Sequence, residues 1–226
     1  MYLKTFYRIL GKIRLAILAR TRYVAIYRKY KSFTMIPRRL YIANLELVER
    51  FSEIRGSIAE CGTWKGGMIA GIAHLMGKER TYFLFDSFQG LPPAQEIDGP
   101  AALRWQAKTN VPTYYNNCIA SEQDARSAMS LAGVDATIEK GWFKDTLPRA
   151  QLRDGIAILR MDADWYDSTM EILNNLFGHV RQGGVIIIDD YYTWDGCSKA
   201  VHDFLSHNKR AERINAHKGV CFIVKA

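Results

Sequence analysis

Ile156-Ala157-Ile158-Leu159-Arg160-Met161-Asp162-Ala163-Asp164-Trp165-Tyr166 and Val185-Ile186-Ile187-Ile188-Asp189-Asp190-Tyr191 are two apolar runs, each closed by a pair of aspartates. Short aliphatic runs with a helical pattern between them read as buried parallel strands joined by a crossover helix. In an open α/β sheet the chemistry collects beyond the carboxyl ends of the strands. Carboxylates gathered there repel one another unless a hard cation holds them, and Mg²⁺ prefers such oxygen ligands. A plainer reading makes Asp167 and Asp195 helix caps and the others solvated loop acids. Capping does not explain Asp189-Asp190 directly after a four-residue aliphatic strand.

Working outward, Ile58-Ala59 begins a first strand that runs into Glu60-Cys61-Gly62-Thr63-Trp64-Lys65-Gly66-Gly67, and a helix follows to Met76, stopped by Gly77. Thr81–Phe85 is a second strand ending at Asp86, and Ala136-Thr137-Ile138 a short third one. Residues 87–118, with Pro92-Pro93, Pro100 and Pro112, read as a long irregular lid or substrate loop. A helix runs from Ser121 to about Gly133, and Ser168-Thr169-Met170-Glu171 reads as a capping box opening another, with Gly183-Gly184 closing it before the fifth strand. A helix over 197–207 and a terminal hairpin complete the chain. The expected architecture is a Rossmann-like α/β sheet, mostly parallel with an antiparallel C-terminal strand and helices on both faces.

The glycine loop discriminates between nucleotides. A dinucleotide fingerprint needs G-x-G-x-x-G, and a phosphate loop needs Lys-Ser/Thr after its last glycine. Glu60-x-Gly62-x-x-x-Gly66-Gly67 satisfies neither. An acid at the strand end with spaced glycines suits a cofactor without phosphates, such as S-adenosylmethionine, whose ammonium group pairs with a carboxylate. Asp86 lies 26 residues after Glu60, one strand-helix-strand unit on, where a carboxylate can accept both ribose hydroxyls. The competing explanations are tight helix–strand packing for Gly66-Gly67 and a loop acid for Asp86. Trp142-Phe143 reads as a wall for the adenine or as ordinary core. The five histidines show no paired motif and read as structural or exposed.

At 226 residues the chain suits a catalytic domain over 56–226 preceded by a basic helical extension over 1–55. The net charge of +8 is not evenly spread: residues 1–45 carry eleven Lys/Arg and no acid, leaving 20 cations against 23 acids, net −3, in the rest. Residues 2–31 look helical, with Leu3, Phe6, Ile9, Leu10, Ile13 and Ile17 in helical period. Three readings stay open: a helix packed on the domain or on a second subunit, a helix lying on an anionic membrane surface, and nucleic-acid binding, for which charge alone is weak evidence. A homo-oligomer, such as a dimer, is expected on the first. Pro37 suits the first turn of a second helix running to about Arg55, ended by Gly56. The four cysteines lack metal-ligand spacing and suit a reducing compartment. No apolar run spans a membrane and no signal peptide is legible, so a cytoplasmic protein is expected, peripheral to the inner membrane surface if the second reading holds.

Several stretches, in order, resemble the macrocin O-methyltransferase family of Mg²⁺-dependent sugar O-methyltransferases. They are Phe33-Thr34-Met35, the Glu60–Gly67 loop, Phe85-Asp86-Ser87-Phe88-Gln89-Gly90-Leu91-Pro92, and Gly141-Trp142-Phe143-Lys144-Asp145-Thr146-Leu147-Pro148. Leu159–Thr169, Ile188–Tyr191, Gly196-Cys197 and Ala200-Val201 continue the series, and together they cover about three quarters of the chain. The resemblance implies a class I methyltransferase fold, Mg²⁺ held by Asp162, Asp189 and Asp190, and Asp164 as a base beside the metal. It implies a cofactor site of Thr34, Met35, Glu60, Gly62, Gly66, Gly67, Asp86, Ser87, Gly141, Trp142 and Phe143, and a small-molecule or glycan acceptor. The chain departs from the family's pattern at Ala163, usually Gly, and at Trp165, usually Leu, a bulky indole beside the expected base that bears on the acceptor. Transfer to a catechol or an amine, and a non-catalytic membrane-associated member of the fold, are the alternatives; an amine would not need the aspartates.

Overall fold

The computed structural model describes residues 21–226. Seven strands form one sheet: β1 (Ser57–Cys61), β2 (Tyr82–Asp86), β3 (Thr137–Lys140), β4 (Ile156–Met161), β5 (Val180–Ile188), β6 (Ile214–His217) and β7 (Val220–Val224). Their order is β3-β2-β1-β4-β5-β7-β6. The first five are parallel, and β7 joins β5 antiparallel as one arm of a hairpin with β6. The expected doubly wound sheet with an antiparallel C-terminal strand is what forms. The strand order reverses between β1 and β4, which is where such sheets open a crevice for ligands.

Alternation along the strands assigns each face. Ile58, Leu84, Ile158, Val185 and Ile187 point to one side, beneath helices α1 (residues 21–30), α2 (Arg38–Glu49), α3 (Gly67–Met76) and α5 (Glu122–Ala132). Ala59, Phe85, Leu159, Ile186 and Ile188 point to the other, beneath α7 (Tyr166–Leu176) and α8 (Asp195–His207). Two further helices are α4 (Gly99–Ala107), between α3 and α5 in the chain, and the short α6 (Phe143–Thr146), between α5 and α7.

Several boundaries differ from the sequence reading, each for a local reason. Helix α2 ends at Glu49, and the chain reaches β1 through turns rather than further helix. Helix α7 starts at Tyr166, so Ser168-Thr169 lie inside its first turns and form no capping box; its first N–H is instead satisfied by Asp98 Oδ1 at 2.7 Å. Gly183 and Gly184 lie within β5, where a Cβ on Gly184 would stand 2.9 Å from the Ala157 and Arg181 carbonyl oxygens. The lid over 87–118 is not irregular: it contains α4, a 3₁₀ turn at Glu96–Asp98, and a turn over Pro112–Cys118 whose residues from Tyr115 on are left-handed.

In α1, Tyr23, Ile26 and Tyr30 are buried, Tyr30 bonds His74 of α3, and Tyr27 packs edge-on against Tyr41 of α2. Arg22 and Tyr23 both engage Glu49. This part of the basic segment is thus a packing helix; residues 1–20, where most of the membrane-surface reading rests, lie outside the described residues. No helix among the described residues is long and apolar enough to cross a membrane.

Candidate active site

Register explains why the acids converge. Glu60 is the partner of Arg160, and Met161 the partner of both Cys61 and Ile188, so Asp162 and Asp189 emerge side by side at the ends of β4 and β5. They line one cavity of about 990 Å³, together with Glu60, Gly62, Thr63, Trp64 and Gly67 of the glycine loop, Asp86-Ser87 and Gly141–Phe143; Gly66 of that loop does not line it. That volume lies at the top of the usual range for ligand pockets and leaves room for two substrates. Thr34 and Met35, from the N-terminal extension, line the same cavity, so residues ahead of the sheet form part of its wall.

At its floor sits Arg160, only 1% exposed. A buried guanidinium is tolerable only with its charge paired. Nη1 donates to Glu60 Oε1 and to Asp162 Oδ2, each at 2.8 Å. Nη2 lies 2.5 Å from Asp189 Oδ1, and Nε reaches Asn44 Oδ1 at 3.4 Å. Sequence reasoning passed over Arg160, although a lone cation inside a buried aliphatic strand was a readable signal. One guanidinium does not balance the acids: burial pushes the Glu60 carboxyl up despite Arg160, and does the same to Asp189.

The second focus is Asp162, Asp164 and Asp190, which can each bring a carboxylate oxygen to within 4.8 Å of the others. Asp164 adopts φ +58, a left-handed turn that points it back at the strand ends. Its backbone N–H donates to Asp190 Oδ2 at 3.0 Å, and its own Oδ1 accepts the Trp194 indole N–H at 2.8 Å. Burial, then repulsion from Asp162, raises the Asp164 pKa, with Trp194 opposing. Burial and the neighbouring aspartates raise that of Asp190 as well. This grouping shares Asp162 and Asp190 with the expected ligand set and adds Asp164, while Asp189, like Asp162, pairs with Arg160.

The glycine loop is shaped by backbone contacts. A Cβ at Gly62, φ +82, would stand 1.7 Å from the Asp162 carbonyl oxygen; one at Gly67 would stand 2.4 Å from that of Phe33. Gly66 takes φ +75 as the residue before α3, against Ala125. Tight packing therefore accounts for these glycines, and a valine at Gly62 would force the β1 and β4 strand ends apart. Asp86 organises the loop: Oδ2 accepts N–H bonds from Thr63 and Trp64, both at 2.8 Å, and Oδ1 one from Phe88 at 2.7 Å. Ser87 Oγ accepts from Gln89 N and donates to Gly90 O. The other carboxylate oxygen of the loop, Glu60 Oε2, is buried without a partner in a residue that lines the cavity. No histidine lines it.

Trp165 is not the obstruction its position suggested. It is buried, donates from Nε1 to the Pro92 carbonyl oxygen at 2.9 Å, and stands behind Trp105 and Trp194, which do line the cavity. Trp105 and Trp194 went unread in the sequence because nothing in the spacing of 105, 165 and 194 signals contact.

The macrocin-O-methyltransferase (TylF) family model matches residues 12–224. Demethyldecarbamoylnovobiocin O-methyltransferase of Streptomyces niveus is 36% identical over 163 residues, 68% of this chain and 59% of that protein. The 8-demethyl-8-(2,3-dimethoxy-alpha-L-rhamnosyl)-tetracenomycin-C 4'-O-methyltransferase of Streptomyces olivaceus is 32% identical over 171 residues, 67% of this chain and 58% of that protein. The chain thus spans under two thirds of the length of these curated relatives. Among solved structures, the O-methyltransferase NovP superposes with a TM-score of 0.70 at 30% identity, covering 86% of this chain and 82% of that one. Sheet order, loop and family match agree, and the chain belongs to the macrocin-O-methyltransferase family.

Proposed function

We propose that this protein transfers a methyl group from S-adenosylmethionine to a hydroxyl of a sugar or glycoside, with a divalent cation, Mg²⁺ by preference, at the aspartate cluster. The observation that carries the reading is the convergence of Asp162, Asp164 and Asp190 in the same cavity as the unpartnered Glu60 carboxylate oxygen. The relative from Streptomyces olivaceus is named for methylating a rhamnosyl group, which favours a sugar acceptor here.

The residues present fit both groups. Glu60 Oε2 offers a free acceptor for an ammonium, and Gly62 and Gly67 bring backbone to the cavity wall; Gly66, expected with them, packs against Ala125 and does not line the cavity. Thr34, Met35, Ser87, Gly141, Trp142 and Phe143 complete that side, and Asp86 keeps acceptor capacity for a ribose hydroxyl beyond its three backbone bonds. Asp162 and Asp190, with Asp189 on the same cavity wall, offer hard carboxylate oxygens suited to Mg²⁺. When bound, S-adenosylmethionine would supply a methyl group on a sulfonium leaving group, and Mg²⁺ a Lewis acid that lowers the pKa of the acceptor hydroxyl.

The chain's own part is positioning and proton transfer. Asp162 and Asp190, common to the expected and the observed groupings, hold the cation, with Asp189 beside them on Arg160. Asp164 accepts the hydroxyl proton, and the Trp194 indole, which donates to its Oδ1 at 2.8 Å, fixes its orientation. Aligning acceptor and donor in one cavity supplies much of the acceleration.

The test is methyl transfer from labelled S-adenosylmethionine to a panel of methyl pyranosides, with and without chelator. Transfer that stops with chelator and returns with Mg²⁺ supports the reading. Transfer indifferent to chelator would remove the metal from it.

A further inference from the structure

Resting on the reading above, we infer that the Trp105 indole is the platform on which the pyranose ring of the acceptor stacks, with Trp194, set edge-to-face to it, as the adjoining wall, and with Trp105 as the specificity-determining residue.

The three indoles form one aromatic cluster. Trp105 meets Trp165 at 6.1 Å and Trp194 at 5.9 Å between ring centroids, and Trp165 meets Trp194 at 5.3 Å, all edge-to-face. Only Trp105 and Trp194 of the three line the cavity, and both are partly exposed there. Each indole N–H is already used: Trp105 on the Thr113 carbonyl oxygen, Trp165 on that of Pro92, Trp194 on Asp164. What the platform offers a ligand is therefore ring surface and not hydrogen bonds. A pyranose presents a face of C–H bonds with its hydroxyls around the rim, which matches such a surface. The Trp105 centroid is 5.9 Å from that of Trp194, the indole that holds Asp164, so a ring lying on Trp105 sits beside the aspartate side of the cavity.

The platform is held rigid at the expense of backbone strain. Tyr115, Asn116, Asn117 and Cys118 take φ of 49, 52, 54 and 60, four successive left-handed residues with no glycine among them. Such strain persists only where the surroundings over-determine it, and it concentrates at functional sites. Here Asn117 is clamped: its Nδ2 donates to the Leu91 carbonyl oxygen at 2.8 Å, its own carbonyl oxygen accepts from Leu91 N–H at 3.0 Å, and its Oδ1 accepts from Gln106 at 3.0 Å. Gln106, next to Trp105, also donates to Pro92 O and accepts from Ala94 N. The clamp thus fixes the backbone that carries Trp105 to the same Pro92 carbonyl that anchors Trp165.

The experiment compares wild type, Trp105→Ala and Trp105→Phe by saturation-transfer NMR on methyl pyranosides in the presence of S-adenosylhomocysteine, and by methyl-transfer kinetics. In wild type, saturation is expected on the ring C–H protons. In Trp105→Ala that signal is expected to fall and the acceptor KM to rise at least about tenfold, more than kcat falls, while Trp105→Phe stays within about threefold. Thermal stabilisation by S-adenosylhomocysteine is expected to be equal in all three. Transfer to pyranosides with a KM indifferent to Trp105→Ala would overturn the platform alone. Equal loss of S-adenosylhomocysteine stabilisation in both variants would assign Trp105 to the integrity of the lid and overturn it too. Methylation of a non-sugar acceptor with no saturation transfer to any pyranoside would overturn the functional reading and the platform together.

Discussion

On the α2–α3 side of the cavity part of the wall is backbone: Gly62 and Gly67 let strand ends and helix approach until a single Cβ would collide. On the opposite side, residues 90–118 make the wall of side chains, with Trp105 and Tyr115 held by Asn117 and Gln106 across a left-handed turn. Between the two lies the charged floor of Arg160 and the aspartates. A backbone wall tolerates no substitution but needs no partners. A side-chain wall can change its occupant by changing one residue, which is how a shared methyl-transfer fold serves different acceptors.

If the floor is the reacting centre, Asp164→Asn should lower turnover by about 10²–10⁴-fold, the range for losing a general base, while S-adenosylhomocysteine binding survives. Calorimetry beside steady-state kinetics checks both halves of that statement. A variant that loses cofactor binding with activity would move Asp164 from the acceptor side to the other.

Removing the charge at the floor should be felt as stability. Arg160→Met leaves Glu60, Asp162 and Asp189 without their shared cation, and breaking a buried pair costs about 3–5 kcal/mol, read by urea unfolding. Asp189→Asn and Asp190→Asn separate the two roles. Asp189→Asn, which loses an Arg160 partner, should lower stability more, and Asp190→Asn should lower Mg²⁺ affinity more. Equal effects from both would restore the expected three-aspartate ligand set.

On the backbone wall, S-adenosylhomocysteine at about 100 times its Kd should add about 2.7 kcal/mol of stability, seen as a rise in Tm. The absence of a shift would break the assignment of Glu60 and the glycine loop. The smallest effect belongs to the lid: Asn116→Gly, at an exposed left-handed position, should stabilise by up to about 1 kcal/mol without changing cofactor affinity. Destabilisation by that glycine would show that the turn is less strained than its φ angles imply.

The same division decided what the sequence disclosed. The aliphatic runs at 156–161 and 185–188 and the glycines after β1 are local signals, so the sheet, its loop and the cluster of acids at its edge were legible. Which aspartate faces which partner was not. That depends on Arg160 standing opposite Glu60 in register, a relation between residues 100 positions apart. The lid was misread as irregular because prolines at 92, 93, 100 and 112 mask a helix that Pro100 in fact starts, within its first turn. The indole cluster joins three elements with no periodicity between them, and only the folded chain brings it together.

Mass spectrometry of a methyl pyranoside panel incubated with wild-type protein, S-adenosylmethionine and Mg²⁺ tests the central claim most directly. The account expects one methyl group on a ring hydroxyl, lost with chelator and lost in Asp164→Asn. Methylation of an amine or a catechol instead, unchanged by chelator, would contradict it.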